Sequence, residues 1–117
     1  METTIRLWGY YTVLHDSEYT KVKELTVSAK KSLSYQYHTQ RQEHWVVVKG
    51  IATVTLDGVT NDYNYNEHIN VPLGVKHKLS NNTDSELIII EIQTGTYFGE
   101  DDIIRLDEDF SKIIAKP

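Results

Sequence analysis

Apolar and polar residues alternate in short runs along most of this chain. Tyr10 to Leu14, Tyr19 to Val27, Leu33 to His38, His44 to Val48, Ile51 to Leu56, His68 to Val71, Lys76 to Ser80 and Leu87 to Gln93 are rich in Val, Ile, Thr and Tyr, the types that favour strands. Turn residues punctuate them at Lys49-Gly50, Asp57-Gly58, Pro72-Leu73-Gly74 and Asn81-Asn82-Thr83-Asp84. Eight short strands at near-regular spacing predict an all-β, antiparallel sandwich or small barrel. Only the tail, Asp107 to Lys116, shows helical spacing, with Phe110, Ile113 and Ile114 on one side.

Side chains alternate across a strand, so the pattern sorts residues into faces. Lys21, Lys23, Leu25 and Val27 share one face of their strand; Ile89, Glu91 and Gln93 share one face of theirs. Both faces of each run mix polar with apolar residues, so pattern alone does not say which one points inward. A jelly roll holding a site between its sheets would carry polar residues on an inner face, which suits Lys23, Glu91 and Gln93.

Composition narrows the class. A chain of 117 residues is expected to form one domain, 1–117, with a core that needs no covalent staples. It has no cysteine, which removes disulfides and thiolate metal sites and is compatible with a reducing cytoplasm, the expected location. No basic segment followed by an apolar stretch opens the sequence, so a secretory signal is not expected. The longest apolar runs, Trp45 to Val48 and Leu87 to Ile90, are too short to span a bilayer. The net charge of −5 disfavours nucleic acid and anionic membranes as partners. A basic pocket for a small phosphorylated ligand remains compatible with it.

Candidate chemistry lies in two linked strings, Gln36-x-His38-x4-Glu43-x6-Gly50 and Pro72-x-Gly74-x2-His77-x3-Asn81. They place two imidazoles, a carboxylate and a carboxamide at strand ends, the donor types that bind a borderline divalent ion. Gln36 and His38 share a strand face, Glu43 follows after a short turn, and a Pro-x-Gly turn precedes His77. Gln36, His38, Glu43 and His77 are therefore the candidate ligands of one metal ion; Zn, Mn, Fe, Co and Ni all suit such a set. A hydrogen-bonded polar cluster without metal is the competing reading. Arg41 falls in the turn before Glu43, where it could fork a phosphate or sugar hydroxyls. His44 alternates away from Glu43 and should face outward; Trp45 should share the Glu43 face and pack in the core. His15 and His68 are expected at the surface.

These residues resemble the cupin superfamily, whose first motif supplies two ligands, a Glu and a Gly, and whose second supplies a His after Pro-x-Gly. More narrowly, the chain is similar to the type II mannose-6-phosphate isomerase family. That domain also ends the bifunctional mannose-1-phosphate guanylyltransferase/mannose-6-phosphate isomerases. The matching stretches are Trp8-Gly9-Tyr10-Tyr11, Lys21-Val22-Lys23, Leu33-Ser34 with Gln36 and His38, Arg41 with Glu43 to Val48 and Gly50, Pro72-x-Gly74-x2-His77, and Glu91-x-Gln93-x-Gly95-x-Tyr97-x-Gly99 to Ile103 with Arg105. They span residues 6–107 or so.

The resemblance implies a cupin double-stranded β-helix and a metal-dependent isomerase interconverting mannose 6-phosphate and fructose 6-phosphate. It implies catalytic roles for Arg41 and Glu91, substrate binding by Lys23, Gln93 and Tyr97, and one of Glu100, Asp101 and Asp102 either at the pocket mouth or paired with Arg105. The chain departs from the family pattern at Arg6-Leu7-Trp8-Gly9, where Pro is usual after Arg, and at Phe110-Ser111-Lys112, where Tyr-Gly-Arg is usual. A non-catalytic sugar- or metal-binding cupin, or a cupin enzyme with another substrate, is the alternative. A homodimer is expected, with Trp8 to Leu14 near the interface, because an open sandwich leaves edge strands for a second copy.

Overall fold

The computed structural model describes residues 2–106; the expected helix from Asp107 to Lys116 lies outside them. Eleven strands form two antiparallel sheets: β1 (Thr3–Arg6), β2 (Gly9–Asp16), β3 (Thr20–Val27), β4 (Gln36–His38), β5 (Arg41–Lys49), β6 (Ala52–Leu56), β7 (Val59–Tyr63), β8 (His68–Val71), β9 (His77–Ser80), β10 (Leu87–Gly95) and β11 (Ile103–Arg105). One sheet runs β1-β2-β3-β10-β5-β8 and the other β11-β4-β9-β6-β7. Among the described residues the only helical piece is a single 3-10 turn at Glu100–Asp102, and no helix is long and apolar enough to cross a membrane.

Three strands escape the alternation pattern. β1 and β7 are edge strands of mostly polar, exposed residues, and β11 has three residues. Edge strands need no apolar inner row, so their sequences give little sign of pairing. The expected strand from Leu33 to His38 shortens to β4, with Ser32 making only an isolated bridge to Ser80. Arg41, expected in a turn, is instead the first residue of β5, and is buried.

The inner face is apolar at one end and polar at the other. Val27, Val47, Val54, Leu79, Leu87 and Ile89 are among the core side chains that meet between the sheets, each contributing about 1.5–3 kcal/mol by leaving water. Continuing along the same strand faces, β3 presents Lys23, β5 presents Arg41 and Glu43, and β10 presents Glu91 and Gln93, all buried. This settles the ambiguity of the alternation: the mixed face is the inner one. Cross-strand register sets Glu91 between Lys23 and Trp45, and Gln93 beside Glu43.

Two features fix how the loops meet the two ends of this inner face. Gly95 closes β10 opposite Arg41 with φ of +150°; a Cβ there would stand 2.3 Å from the Gln40 carbonyl oxygen, so only glycine admits this approach. At the apolar end, Asn81 is fully buried and its Nδ2 donates to the carbonyls of Val27, Ser28 and Ser85, while its Oδ1 accepts from Thr83. The last residue of the second string is thus a loop anchor remote from the metal-ligand candidates.

Candidate metal centre and adjoining cavity

His38 arrives from β4, Glu43 from β5 and His77 from β9, so the cluster bridges both sheets. One potential ligand atom from each lies within 4.8 Å of the others, and all three residues are buried. The tautomers follow from the neighbours. His38 Nδ1 meets the Asp102 carbonyl at 3.2 Å, and His77 Nδ1 meets the Val75 carbonyl at 2.9 Å. A carbonyl oxygen only accepts, so in each ring Nδ1 carries the proton. The Nε2 atoms are left to face the cluster, the arrangement in which an outer hydrogen bond orients an imidazole ligand.

Two contacts test whether these residues fit a cation. His77 Nε2 is buried without a hydrogen-bond partner among the described residues. His38 Nε2 stands 3.2 Å from Glu43 Oε2; a lone pair facing a carboxylate oxygen at that distance calls for a proton or a metal ion between them. The donor set therefore fits a divalent ion of the imidazole-and-oxygen class. Gln36 stands beside His77 in strand register and accepts from Ser34 Oγ through its Oε1.

Glu43 is held on every side. Its Oε2 accepts from Arg41 Nε at 2.9 Å and its Oε1 from Trp45 Nε1 at 3.1 Å. Burial works against its charge, but His38 and then Arg41 overcome that and hold the carboxyl well below the ordinary range. Trp45 Nε1 also reaches Glu91 Oε2 at 3.0 Å, and Gln93 Nε2 donates to Glu91 Oε1 at 2.8 Å. Burial, then the Glu43 charge, pushes the Glu91 pKa up to about 8. Two buried carboxyls thus sit close together with opposite tendencies, the pattern that separates an ionised ligand from a proton carrier.

Gln36, Arg41, Glu43, Trp45, His77 and Glu91 line a cavity of about 440 Å³, with Lys23 and Glu100 on its wall. His38 and Gln93 back this lining through Glu43 and Glu91. Lys23 is buried, pairs with Glu100 at 2.8 Å and lies over the Tyr11 ring at 4.4 Å. Arg41 uses Nη1 on the Phe98 and Gly99 carbonyls and points Nη2 at His38 Nε2. Burial opposes its charge, and Glu43, Glu91 and Glu100 more than offset that. Its guanidinium is consumed inside the protein rather than presented as an open fork. Tyr97 stands apart: it is exposed, outside the cavity lining, and its hydroxyl donates to Asp101.

Three residues carry more of the site than the sequence indicates. Trp45 packs in the core as expected, yet its indole N–H also links the two carboxylates. Glu100 closes on Lys23 and Arg41. Asp102 accepts from Thr39 N, Thr39 Oγ1 and Gln40 N, clamping the turn that leads to Arg41, while its carbonyl orients His38. Gly-Glu-Asp-Asp signals a loop of interest, but which acid reaches which partner depends on the pairing of β11 with β4. His44, His15 and His68 are exposed, as their positions in the alternation suggest.

Two antiparallel sheets enclosing a buried His/Glu/His cluster define a cupin. The chain belongs to the family described as Mannose-6-phosphate isomerase C-terminal, whose model matches residues 1–108. It is 38% identical over 107 residues to a mannose-1-phosphate guanylyltransferase of Salmonella montevideo, a match covering 92% of this chain and 23% of that protein. A mannose-1-phosphate guanylyltransferase of Sinorhizobium fredii is 42% identical over 107 residues, covering 92% of this chain and 21% of that protein. The chain thus spans less than a quarter of these relatives. Among solved structures, the cupin domain of Schizosaccharomyces pombe Cnp3 superposes with a TM-score of 0.69 at 12% identity, over 74% of this chain and 64% of that one.

Proposed function

We propose that this domain is a metal-dependent isomerase that interconverts mannose 6-phosphate and fructose 6-phosphate. The observation that carries the reading is the pairing, in one cavity, of the His38/Glu43/His77 cluster with a second carboxyl, Glu91, whose pKa is raised to about 8. The reaction moves one proton from C2 to C1 and one from the C2 hydroxyl oxygen to the C1 oxygen, with no net oxidation. A divalent ion held by His38, Glu43 and His77, with Gln36 beside them, would supply Lewis-acid polarisation of the two oxygens. Glu91 is the proton carrier: once ionised, a carboxylate of that proton affinity is a stronger base than an exposed glutamate. Trp45 and Gln93 hold its two oxygens in place. Arg41 fixes Glu43 and acts through it. Lys23 borders the substrate space and Gln93 stands behind Glu91; Tyr97 would reach that space only from the loop outside.

A coupled assay on metal-reconstituted protein tests this. Wild type should convert mannose 6-phosphate, and Glu91→Gln should lose about a hundredfold or more of turnover with its metal content intact. A metal-loaded wild type that does not convert the sugar would leave the second reading, a sugar-phosphate-binding module working beside a guanylyltransferase. The names of the relatives, and the small share of them that this chain spans, favour that second reading.

A further inference from the structure

Two buried cations reach one point on the cavity wall, and an acid from the neighbouring loop covers them. Lys23 comes from β3 and Arg41 from β5, and their side chains are only 4% and 3% exposed. Glu100 comes from the 3-10 turn, and its side chain is 38% exposed. Its Oε2 accepts from Lys23 Nζ at 2.8 Å and stands 3.7 Å from Arg41 Nη1. All three residues line the same cavity. The cations thus lie on the inner side of the contact and the carboxylate on the solvent side. Burial opposes the charge of Glu100, but Lys23, with Arg41 and Lys21 behind it, outweighs that and holds the carboxyl below its ordinary range. In a chain of net charge −5 this is a local cationic niche with a carboxylate seated in it. The backbone on both sides of Glu100 is pinned. Arg41 Nη1 donates to the Phe98 and Gly99 carbonyls, Asp102 N donates to the Gly99 carbonyl, and the Asp102 carboxylate accepts from Thr39 N and Gln40 N. The Glu100 side chain can therefore turn to another rotamer, and its carboxylate to water, without the loop moving. Lys23 has no such choice: a buried ammonium needs a counter-charge wherever Glu100 goes.

We infer that Lys23 is the anion anchor of the cavity and that Glu100 is its resident counter-ion, displaced by the phosphoryl group of an entering ligand. The inference rests on reading the cavity as a sugar-phosphate site. A phosphate oxygen at Lys23 takes over the charge-assisted bond that Glu100 makes, while Arg41 stays tied to Glu43 and the two carbonyls and contributes its charge from behind. A neutral sugar has nothing to offer in exchange, because moving Glu100 aside would leave Lys23 buried and unpaired. The pair therefore selects phosphorylated over neutral ligands, and it holds affinity for the phosphorylated ones below what Lys23 alone would give. Removing the Glu100 carboxylate should tighten phosphate binding. A residue that contacted the ligand, or that only supported the fold, would do the opposite or nothing.

Calorimetric titration of the chelated protein with inorganic phosphate, mannose 6-phosphate and mannose tests the displacement; with metal removed, phosphate has no ion to bind. Glu100→Gln should bind both phosphate-bearing ligands about tenfold tighter than wild type, the order of one charge-assisted bond that no longer has to be broken, and mannose no tighter. Glu86→Gln makes the same change in net charge at an exposed site outside the cavity and should behave as wild type. Lys23→Met keeps the buried stem and should weaken both phosphate-bearing ligands by about 10- to 100-fold; adding Glu100→Gln to it should restore nothing. A Glu100→Gln variant that binds phosphate no tighter than wild type, or that gains as much on mannose, overturns the inference, as does an equal gain in Glu86→Gln. So does a double variant as tight as Glu100→Gln alone, or a failure of both wild type and Glu100→Gln to bind either phosphate-bearing ligand. Tightening in Glu100→Gln without turnover by the metal-reconstituted wild type keeps the anchor and removes the isomerase. Turnover by wild type with unchanged phosphate affinity in these variants does the reverse.

Discussion

Trp45 Nε1 lies 3.0 Å from Glu91 Oε2 and donates at the same time to Glu43, so one indole N–H ties the candidate ligand carboxylate to the carboxyl proposed to carry the proton. The ring that carries this N–H meets His77 edge-on at a centroid distance of 5.6 Å. Trp45→Phe keeps most of the packing and removes the donor. Leaving a buried carboxylate short of one bond costs about 1–3 kcal/mol. The variant should therefore melt lower, by roughly 3–6 °C for each kcal/mol lost. In the coupled assay kcat should fall by about tenfold or more, because about 1.4 kcal/mol of lost alignment is tenfold in rate. An unchanged melting temperature and kcat would show that the shared N–H is incidental.

Metal binding should be visible as stability. A ligand that binds only the folded state at a hundred times its Kd adds about 2.7 kcal/mol, or roughly ten degrees in a domain of this size. Chelation should lower the wild-type midpoint by that order, and His77→Ala should lose both the metal and the response to chelator. Gln36→Ala should do less damage, since a neutral carboxamide oxygen is the weakest donor of the four. If wild type and His77→Ala melt alike with and without chelator, the cluster is a polar core and the metal-assisted reading fails.

The fold was legible because its buried strands alternate. β5 and β10 show inward residues at every second position, and the two motif strings mark where the strands end. The metal-ligand candidates were legible for the same reason: His38, Glu43 and His77 are each a fixed distance from a turn. The environments of Arg41 and Glu91 were not. Both depend on register between strands far apart in sequence, which sets Glu91 beside Trp45 and Gly95 beside Arg41. Edge strands β1 and β11 stayed hidden because a half-solvated strand has no inner apolar row. Tyr97 rests on motif membership alone: its side chain turns to Asp101, outside the cavity lining.

The outer edge of β1 bears on assembly. β1 ends the six-stranded sheet, Ile5 is 73% and Leu7 98% exposed, and nothing among the described residues pairs with its free side. An unpaired edge strand is open to pairing with a second copy. A homodimer through this edge is the expected state, and Leu7→Glu should shift it toward monomer. Light scattering at tens of micromolar is the measurement; a wild-type monomer mass would dispose of the interface.

The last prediction concerns pH. Glu91 binds its proton more tightly in the folded protein, near pKa 8, than at its ordinary value of 4.5. Below the ordinary value both states hold the proton, and this contribution to stability is complete. As pH rises from there, the unfolded chain releases the proton while the folded chain keeps it, so stability declines until the folded group also ionises. Glu91→Gln replaces the protonated carboxyl by an amide of similar shape and removes this dependence. Glu43 pulls the other way, since its depressed pKa favours folding above its ordinary range, and His77, also depressed, loses stability as pH falls. Both remain in the variant, so the difference between the two proteins reports on Glu91 together with its coupling to Glu43. In chelated samples the wild type should lose ground to Glu91→Gln steadily between about pH 5 and pH 8, and little more above that. Parallel melting curves across that window would mean that Glu91 is ionised in the folded protein, and would remove it as the carrier of the proton.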